Sequence, residues 1–489
     1  MKMTTQNMPI KMDTSKDSIM LVYDKDRLTV HNVGSDEVQL KTHPLAEALG
    51  DFMQRVDDIY FAAGTMIPVA AQILNTRAKK VAKKINEAEN KIKNGPQSEA
   101  SFAGATIVEA SHESERIFRS RLPNIVERSL FVSLFSEYDN FFGVMLRELY
   151  RSRPDLLASL SKQISFEELL KFENIESVKN SVLESEIESI RRESYIEQFA
   201  ILQRKFGLPL TKFDDWPHFI EASQRRNLMV HCGGHVSDQY LQVSESAGYK
   251  FEKRPLIGVE LTIGPKYFEY ISGLVSRIGF MLTHTLWRKV LPSESELAND
   301  KLNDQVYKLL CAKRWQIAAE LGKFSLSDPM LSGASDMQKR IRLCNTAIAL
   351  KNLKQPNEMK QLLSSTDWTA SIRDFRLAVR ILEDDFEGAC SLMREIGKKG
   401  ELVHEVAYHQ WPLFNNFRER PEFHKTYEEI FGYPFYLKAE RSVEEALSKL
   451  DLSKEEIAAR PESNNSEVLP KMRRRRMSKP NTDSGRPEN

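Results

Sequence analysis

SQRRNLMVHCGGHVSDQYL (residues 223–241) places Arg226, Asn227 and His231 within six residues and then breaks at Gly233-Gly234. Upstream, DDWPHFIEA supplies Asp215 as an N-cap and Pro217 in the first turn, where a missing N–H costs nothing. The segment therefore reads as one helix, closed by the glycine pair. At 3.6 residues per turn, Asn227 and His231 share a face. Arg226 stands about 140° round from His231, but its long side chain can reach that face. Three polar groups can thus converge at the C-terminal end of a helix whose other side holds Trp216, Phe219, Ile220 and Val230. The plainer alternative is a solvated helix end, with His231 favoured there by the helix dipole. A metal site through His231, Cys232 and His235 is a poor fit. Two glycines unwind the helix between the histidines, and no distant Cys/His pair completes a ligand set.

The surrounding chain is helical in pattern. NIVERSLFVSLFSEYDNFFGVMLRELYRSRP is a long amphipathic helix stopped at Arg153-Pro154. SFEELLKF, a charged helix near 173–192, SYIEQFAILQRKFGLPL and a helix over 266–291 follow, with a short extended piece, GVELTIG, before the last. Together they make a second block over residues 122–292. Residues 1–120 are an extension. SIMLVYDKDRLTVHNV suggests a hairpin around Asp24-Lys25-Asp26. A long helix follows over 44–93. Within it Leu74, Ala78, Val81, Ile85, Ala88 and Ile92 recur at spacings of 4, 3, 4, 3 and 4, a seam that packs on its own domain or on another chain. YFAAGTMIPVAAQIL (60–74) is too short for a membrane helix, which takes roughly 20 residues, and reads as buried. Residues 95–115, rich in Gly, Ser, Ala and Glu, read as a loop. Over 295–435 three helical hairpins overlay, starting at Val306, Ala347 and Ala378, in the manner of degenerate tetratricopeptide-like repeats. FNNFRERPEFHKTYEEIFGYPF caps them. The tail 452–489 is polar and basic, and reads as disordered. The fold class is all-α.

Composition narrows the setting. Seventy basic residues face 69 acidic ones, so any nucleic-acid footprint must be local. Four cysteines lie far apart without a C-x-x-C pair, which argues for a reduced, cytoplasmic chain. MKMTTQNMPIKMD has no apolar core of a signal peptide. No membrane association and no cofactor are expected.

RRNLMVHCGG, followed by VSDQYL and by GVELTIGPKYFEYISGLVSRIGFMLTHTLWRKV, resembles the HEPN superfamily, nearest to its RiboL-PSP type. The family motif, R-x(4–6)-H with a polar residue after the arginine, falls on Arg226, Asn227 and His231. The chain departs from it at Cys232, where a small polar residue is expected. The resemblance covers about a third of the chain and implies a helical bundle that dimerises to form one cleft. It also implies metal-independent RNA cleavage, in which the 2′-hydroxyl attacks the adjacent phosphate and leaves a 2′,3′-cyclic phosphate. The residue types suit that chemistry. Histidine transfers protons near neutral pH, and arginine grips phosphate with two prongs. His231 is then the general acid/base, Arg226 the phosphate clamp and Asn227 an orienter. Glu137 and Asp139, in the SEYDN turn of the long helix, are second-tier candidates, with a solvated face as the alternative. Arg225, Tyr240 and the run Arg473, Arg474, Arg475, Arg476 are candidates for RNA contact, against core packing for Tyr240 and a solvated tail for the run. The expected partners are RNA, a second copy of the chain and a protein bound by the repeats. Such arrangements resemble toxin or anti-phage effectors. The rival reading is an inactive scaffold or regulator.

Overall fold

The computed structural model describes residues 18–24, 27–33, 43–158 and 164–435. The tail and its Arg473–Arg476 run lie outside the described residues. The described chain is all-helical but for one antiparallel hairpin, β1 (Ser18–Asp24) and β2 (Arg27–Val33), whose register pairs Asp24 with Arg27, as its alternation suggests. It divides into two compact units at Ser371/Ile372.

The first unit is built on α1 (Pro44–Asn94), α2 (Gln97–Phe118) and α3 (Leu122–Ser152). Single turns α4 (Asp155–Ala158) and α5 (Phe166–Leu169) lead to α6 (Ile175–Arg192) and α7 (Tyr195–Phe206). Then come α8 (Trp216–His231), α9 (Asp238–Ser246) and α10 (Pro265–Val290). The apolar residues of α10 run round its whole circumference, and it is buried from Ile271 to Phe280 without interruption. Gly279 sits where α1 crosses it, and a β-carbon there would run into the Phe52 ring. Phe52 in turn stacks on Phe141 of α3, with centroids 4.3 Å apart. The aromatic face of α3 (Phe131, Phe135, Tyr138, Phe142) fills the bundle core.

Two expectations for the N-terminal region fail. Residues 97–118 are helix α2, antiparallel to α1, rather than a loop. Its alanines are good helix formers, and Ala103 and Ala110, seven apart, are buried at the α1 interface opposite a seam that holds Val81 and Ala88. Val81 and Ala88 of the seam are thus covered from within the chain, while Ala78 and Ile92 stay exposed. The apolar run 60–74 is mostly exposed: only Ala63 and Ala70 are fully buried, Ile67 and Leu74 are half-buried, and Met66, Val69 and Ile73 face outward. By length and composition, α1 is the one described helix apolar enough to cross a membrane.

Three helical hairpins occupy this region, but their first helices start at Ser295, Asp336 and Arg373, ahead of Val306, Ala347 and Ala378, and the first two hairpins belong to the same compact unit as the bundle. α11 (Ser295–Cys311) and α12 (Trp315–Ser325) pack on the bundle: Gly273 abuts Ile317, Phe280 meets Phe324, and Arg314 pairs with Asp57 at 2.9 Å. A turn, α13 (Asp328–Leu331), leads to the second hairpin, α14 (Asp336–Asn352) and α15 (Pro356–Ser364). The second unit holds α16 (Arg373–Leu382) and α17 (Phe386–Ile396), then α18 (Glu405–Gln410) and α19 (Pro421–Phe431). Its core is aromatic, with Tyr408, Phe414, Phe423 and Tyr427 buried together.

The three hairpins share one turn. Each spans three residues with the middle one left-handed: Lys313 at φ 56°, Lys354 at φ 58° and Asp384 at φ 62°. In each, the N–H of the next residue (Arg314, Gln355, Asp385) reaches the carbonyl five residues back. These are the only non-glycine residues with positive φ among those described.

Candidate functional site

Helix α8 presents two faces with different tasks. Its inner face carries Phe219, Ile220 and Ala222 into the core, together with a carboxylate, Glu221, which is 1% exposed. A buried charge must be paired and fully hydrogen-bonded. Glu221 accepts from Arg225 Nε at 2.8 Å, Tyr240 Oη at 2.5 Å and Tyr267 Oη at 2.6 Å. The Arg225 guanidinium also lies over the Tyr267 ring, 4.0 Å from its centroid. This network fastens α8 to α9 and α10. It overturns the assignment of Arg225 and Tyr240 to RNA contact. Tyr240 is 1% exposed, with no ring face open to a base, and Arg225 spends its donors inside the protein.

The next residue, Arg226, points to another neighbour. Its Nη2 lies 3.2 Å from Asp139 Oδ2 of α3, and its Nη1 donates to Asn227 Oδ1 at 3.2 Å. The other oxygen of Asp139 accepts from Tyr195 Oη at 2.6 Å. Burial lifts the Asp139 carboxyl above its ordinary range, against the opposing pull of the Tyr195 hydroxyl and the Arg226 charge. Buried, and beside Asp139, the Tyr195 hydroxyl is pushed well above its usual value. Arg226 is thus oriented by a carboxylate that is itself oriented by a tyrosine. Its Nε is buried without a hydrogen-bond partner among the described residues.

The two second-tier carboxylates separate. Two residues along a helix are about 200° apart. Asp139 therefore faces α8, while Glu137 faces α1 and pairs with Arg55 at 3.1 Å, outside the candidate site. Asp215 stands at the N-cap position of α8 but makes no cap bond; its oxygens go to Arg277 at 3.0 Å and Tyr270 at 2.9 Å.

His231 is the last residue of α8 and is exposed. The chain leaves the helix through Gly233 (φ 59°) and Gly234 (φ 88°), a left-handed pair that L-residues rarely adopt. Gly234 donates to the Leu228 carbonyl at 2.9 Å and lies under Arg128, whose guanidinium occupies the space a β-carbon would need. His235 turns back so that Nδ1 lies 3.1 Å from the Cys232 carbonyl oxygen. Arg128 pairs with Glu260 at 2.5 Å, and Arg121 reaches the same carboxylate at 3.4 Å. Sequence reasoning missed Arg128, Glu260 and Tyr195. They lie far from the motif in the chain, and no local spacing marks them.

Around this end of α8 the surface is apolar and cationic together. Ile125 shares the face of α3 that bears Arg121 and Arg128, and it is exposed, as are Val230, Ile257 and Val259. The segment 256–261 is laced to 234–236 by backbone bonds, which bring these residues to the helix end. No protein-family model, curated protein or solved structure matches the chain.

Proposed function

We propose that this protein is an endoribonuclease of the HEPN type, cleaving RNA by attack of a 2′-hydroxyl on the adjacent phosphate. The observation that carries the reading is the pairing of a held arginine, Arg226, with an exposed histidine, His231, at the free end of one rigid helix. Arg226 clamps the phosphate and meets the charge that builds on its oxygens. The 2′-hydroxyl gives its proton to a base and its oxygen bonds to phosphorus. The bond from phosphorus to the 5′-oxygen breaks, and that oxygen takes a proton from an acid. The products are a 2′,3′-cyclic phosphate and a 5′-hydroxyl. In-line displacement puts the attacking and leaving oxygens on opposite sides of phosphorus, so two copies of His231, one from each of two chains, suit the reaction, one as base and the other as acid. The exposed apolar residues Ile125, Val230, Ile257 and Val259 beside the helix end supply a surface on which two copies can meet. Asn227, bonded to Arg226, orients the clamp. A role as a toxin or anti-phage effector accords with this chemistry.

The scaffold reading draws on one observation: Asp139 already occupies Arg226, which must exchange that partner for phosphate before acting. Purified wild type, Arg226→Ala and His231→Ala, each given bulk RNA in EDTA, decide between them. Cyclic-phosphate ends from the wild type alone support the enzyme. Cleavage that survives in both variants refutes the site. Absence of cleavage by all three, with no toxicity specific to the wild type on expression, supports the scaffold.

A further inference from the structure

Arg226 is not the only arginine along this edge of α3. Arg121, at the N-cap of α3, and Arg128 and Asp139 within it recur after seven and eleven residues. At about 100° per residue the three fall within about 20° of one line along the helix. Asp139 holds Arg226 at one end of this line. Farther along it Arg128 lies over Gly234, three residues beyond His231. At 1.5 Å per residue, Asp139 and Arg128 are about 16 Å apart along the helix, and Arg121 is about 10 Å farther on. Arg226, Arg128 and Arg121 thus follow one another past the end of α8, and His231 falls between the first two in chain order. One phosphate cannot span such a distance, but successive phosphates of one strand can.

The charges favour an anion beside Arg121 and Arg128. The two share a single carboxylate, Glu260, at 3.4 and 2.5 Å, which leaves one positive charge over. The acid next to Arg128 in the chain, Glu127, stands about 100° round the helix and accepts the Ile263 backbone N–H. The ion pair is not what fastens the Glu260 segment, since Val236, Gly258 and Leu261 already lace 256–261 to 234–236 through backbone N–H groups. An exposed pair of this kind is worth about 1 kcal/mol or less. A phosphate, which takes two N–H donors from one guanidinium, can displace such a carboxylate. Glu260 therefore stands to Arg128 as Asp139 stands to Arg226: each acid occupies an arginine that an RNA phosphate can claim.

We propose that Arg121 and Arg128 form a second phosphate subsite, which holds the RNA strand beyond the phosphate that is cut, with Glu260 as the resident competitor for it. The inference rests on the ribonuclease reading of Arg226 and His231. Contacts to phosphate fix where a strand lies without reading its bases, so this subsite sets the position of the strand and not the sequence that is cut.

The test measures binding of a fluorescent 2′-O-methyl RNA strand, which lacks the attacking hydroxyl and stays intact. Anisotropy over a salt series compares the full-length wild type with Arg121→Gln, Glu260→Gln and Arg204→Gln. Arg204 is the control: its side chain is 66% exposed against 65% for Arg121, and it pairs with Glu197 on its own helix, α7. Thermal unfolding checks that each variant is folded. Arg121→Gln should weaken binding about fivefold at low salt. It should also reduce the slope of log K against log salt by about 0.7, the share of one single-strand phosphate. Arg204→Gln should alter neither. Glu260→Gln should tighten binding, which loss of a purely structural ion pair would not do. Three results overturn the subsite: a wild type that does not bind the strand, an Arg121→Gln that matches Arg204→Gln, or a folded Glu260→Gln that binds more weakly than wild type. The ribonuclease reading fails separately. Unmodified RNA left intact by a wild type that binds the methylated strand through Arg121 counts against cleavage and leaves the subsite standing.

Discussion

Glu221→Leu is the most informative perturbation of the scaffold under the candidate site. Glu221 is 1% exposed and accepts three hydrogen bonds, from Arg225, Tyr240 and Tyr267. Removing it strands the Arg225 guanidinium against the Tyr267 ring, with only the Thr262 carbonyl and the Tyr240 hydroxyl left to it. Breaking a buried ion pair from one side costs about 3–5 kcal/mol. The two orphaned hydroxyls, each worth about 1 kcal/mol, put the loss toward the upper end of that range. The loss is read from the urea midpoint of the first unit, followed by tryptophan fluorescence. Glu221→Leu/Arg225→Leu should recover more than half of it, since apolar side chains of similar volume replace a buried pair at little cost. A single-variant loss under about 1 kcal/mol would refute the argument that this buried carboxylate fastens α8. Equal losses for the single and double variants would show that the tyrosine contacts, and not the charge, fasten α8.

Three other changes follow from the geometry. Asp139 has a folded pKa raised above its unfolded value, so its contribution to stability is fully present below the unfolded value and is lost as pH rises through the folded one. The stability of wild type relative to Asp139→Asn should therefore fall with rising pH from about 4 upward, in a urea series; a difference that grows with pH contradicts it. Gly234→Ala, at φ 88° and beneath Arg128, should cost about 1–2 kcal/mol from the left-handed backbone, plus the displacement of Arg128 from Glu260, measured by thermal unfolding. Lys354→Gly should instead stabilise by about 0.5–1 kcal/mol, because relief of the left-handed strain exceeds the entropy glycine adds to the unfolded chain; an unchanged or lowered melting temperature would count against the shared-turn reading.

The helices were legible where one periodicity held for three or more turns. The pattern over 266–291 became α10, and the break at Gly233-Gly234 ended α8. Two misreadings share a cause. The segment 97–118 lacks large apolar residues, so it shows no stripe, yet Ala103 and Ala110 are enough to seat a helix closely on α1. The segment 60–74 is rich in apolar residues, yet only its two seated alanines are fully buried. Hydropathy alone reports a residue's preference for cover and not whether a partner exists. The repeats show the converse. Their starts are 41 and 31 residues apart, too irregular to fix a period, while their turns agree residue for residue at Lys313, Lys354 and Asp384. None of these is glycine, so nothing in the residue types announces the conformation.

The candidate site divides along the same line. Arg226, Asn227 and His231 were legible because they lie on one helix, whose spacing the sequence states directly. What holds Arg226 was not, since Asp139 and Tyr195 come from α3 and α7, and only the packed bundle brings them to α8. Glu137 and Asp139 were equal candidates in sequence; their separation by two residues sends one to Arg55 and the other to Arg226. Arg225 and Arg226 diverge for the same reason. Adjacent residues point about 100° apart, so one arginine enters the core beside Glu221 and the other turns toward Asp139. The two adjacent arginines therefore have different neighbours: Arg225 fixes where the helix sits, and Arg226 is held by Asp139. Arg225→Ala should accordingly act through stability, and, on the proposed function, Arg226→Ala through RNA cleavage at unchanged stability of the network around Glu221. Measuring urea midpoints and RNA cleavage on the same two variants separates the roles, and a large loss of stability in both would mean that Arg226 is structural as well.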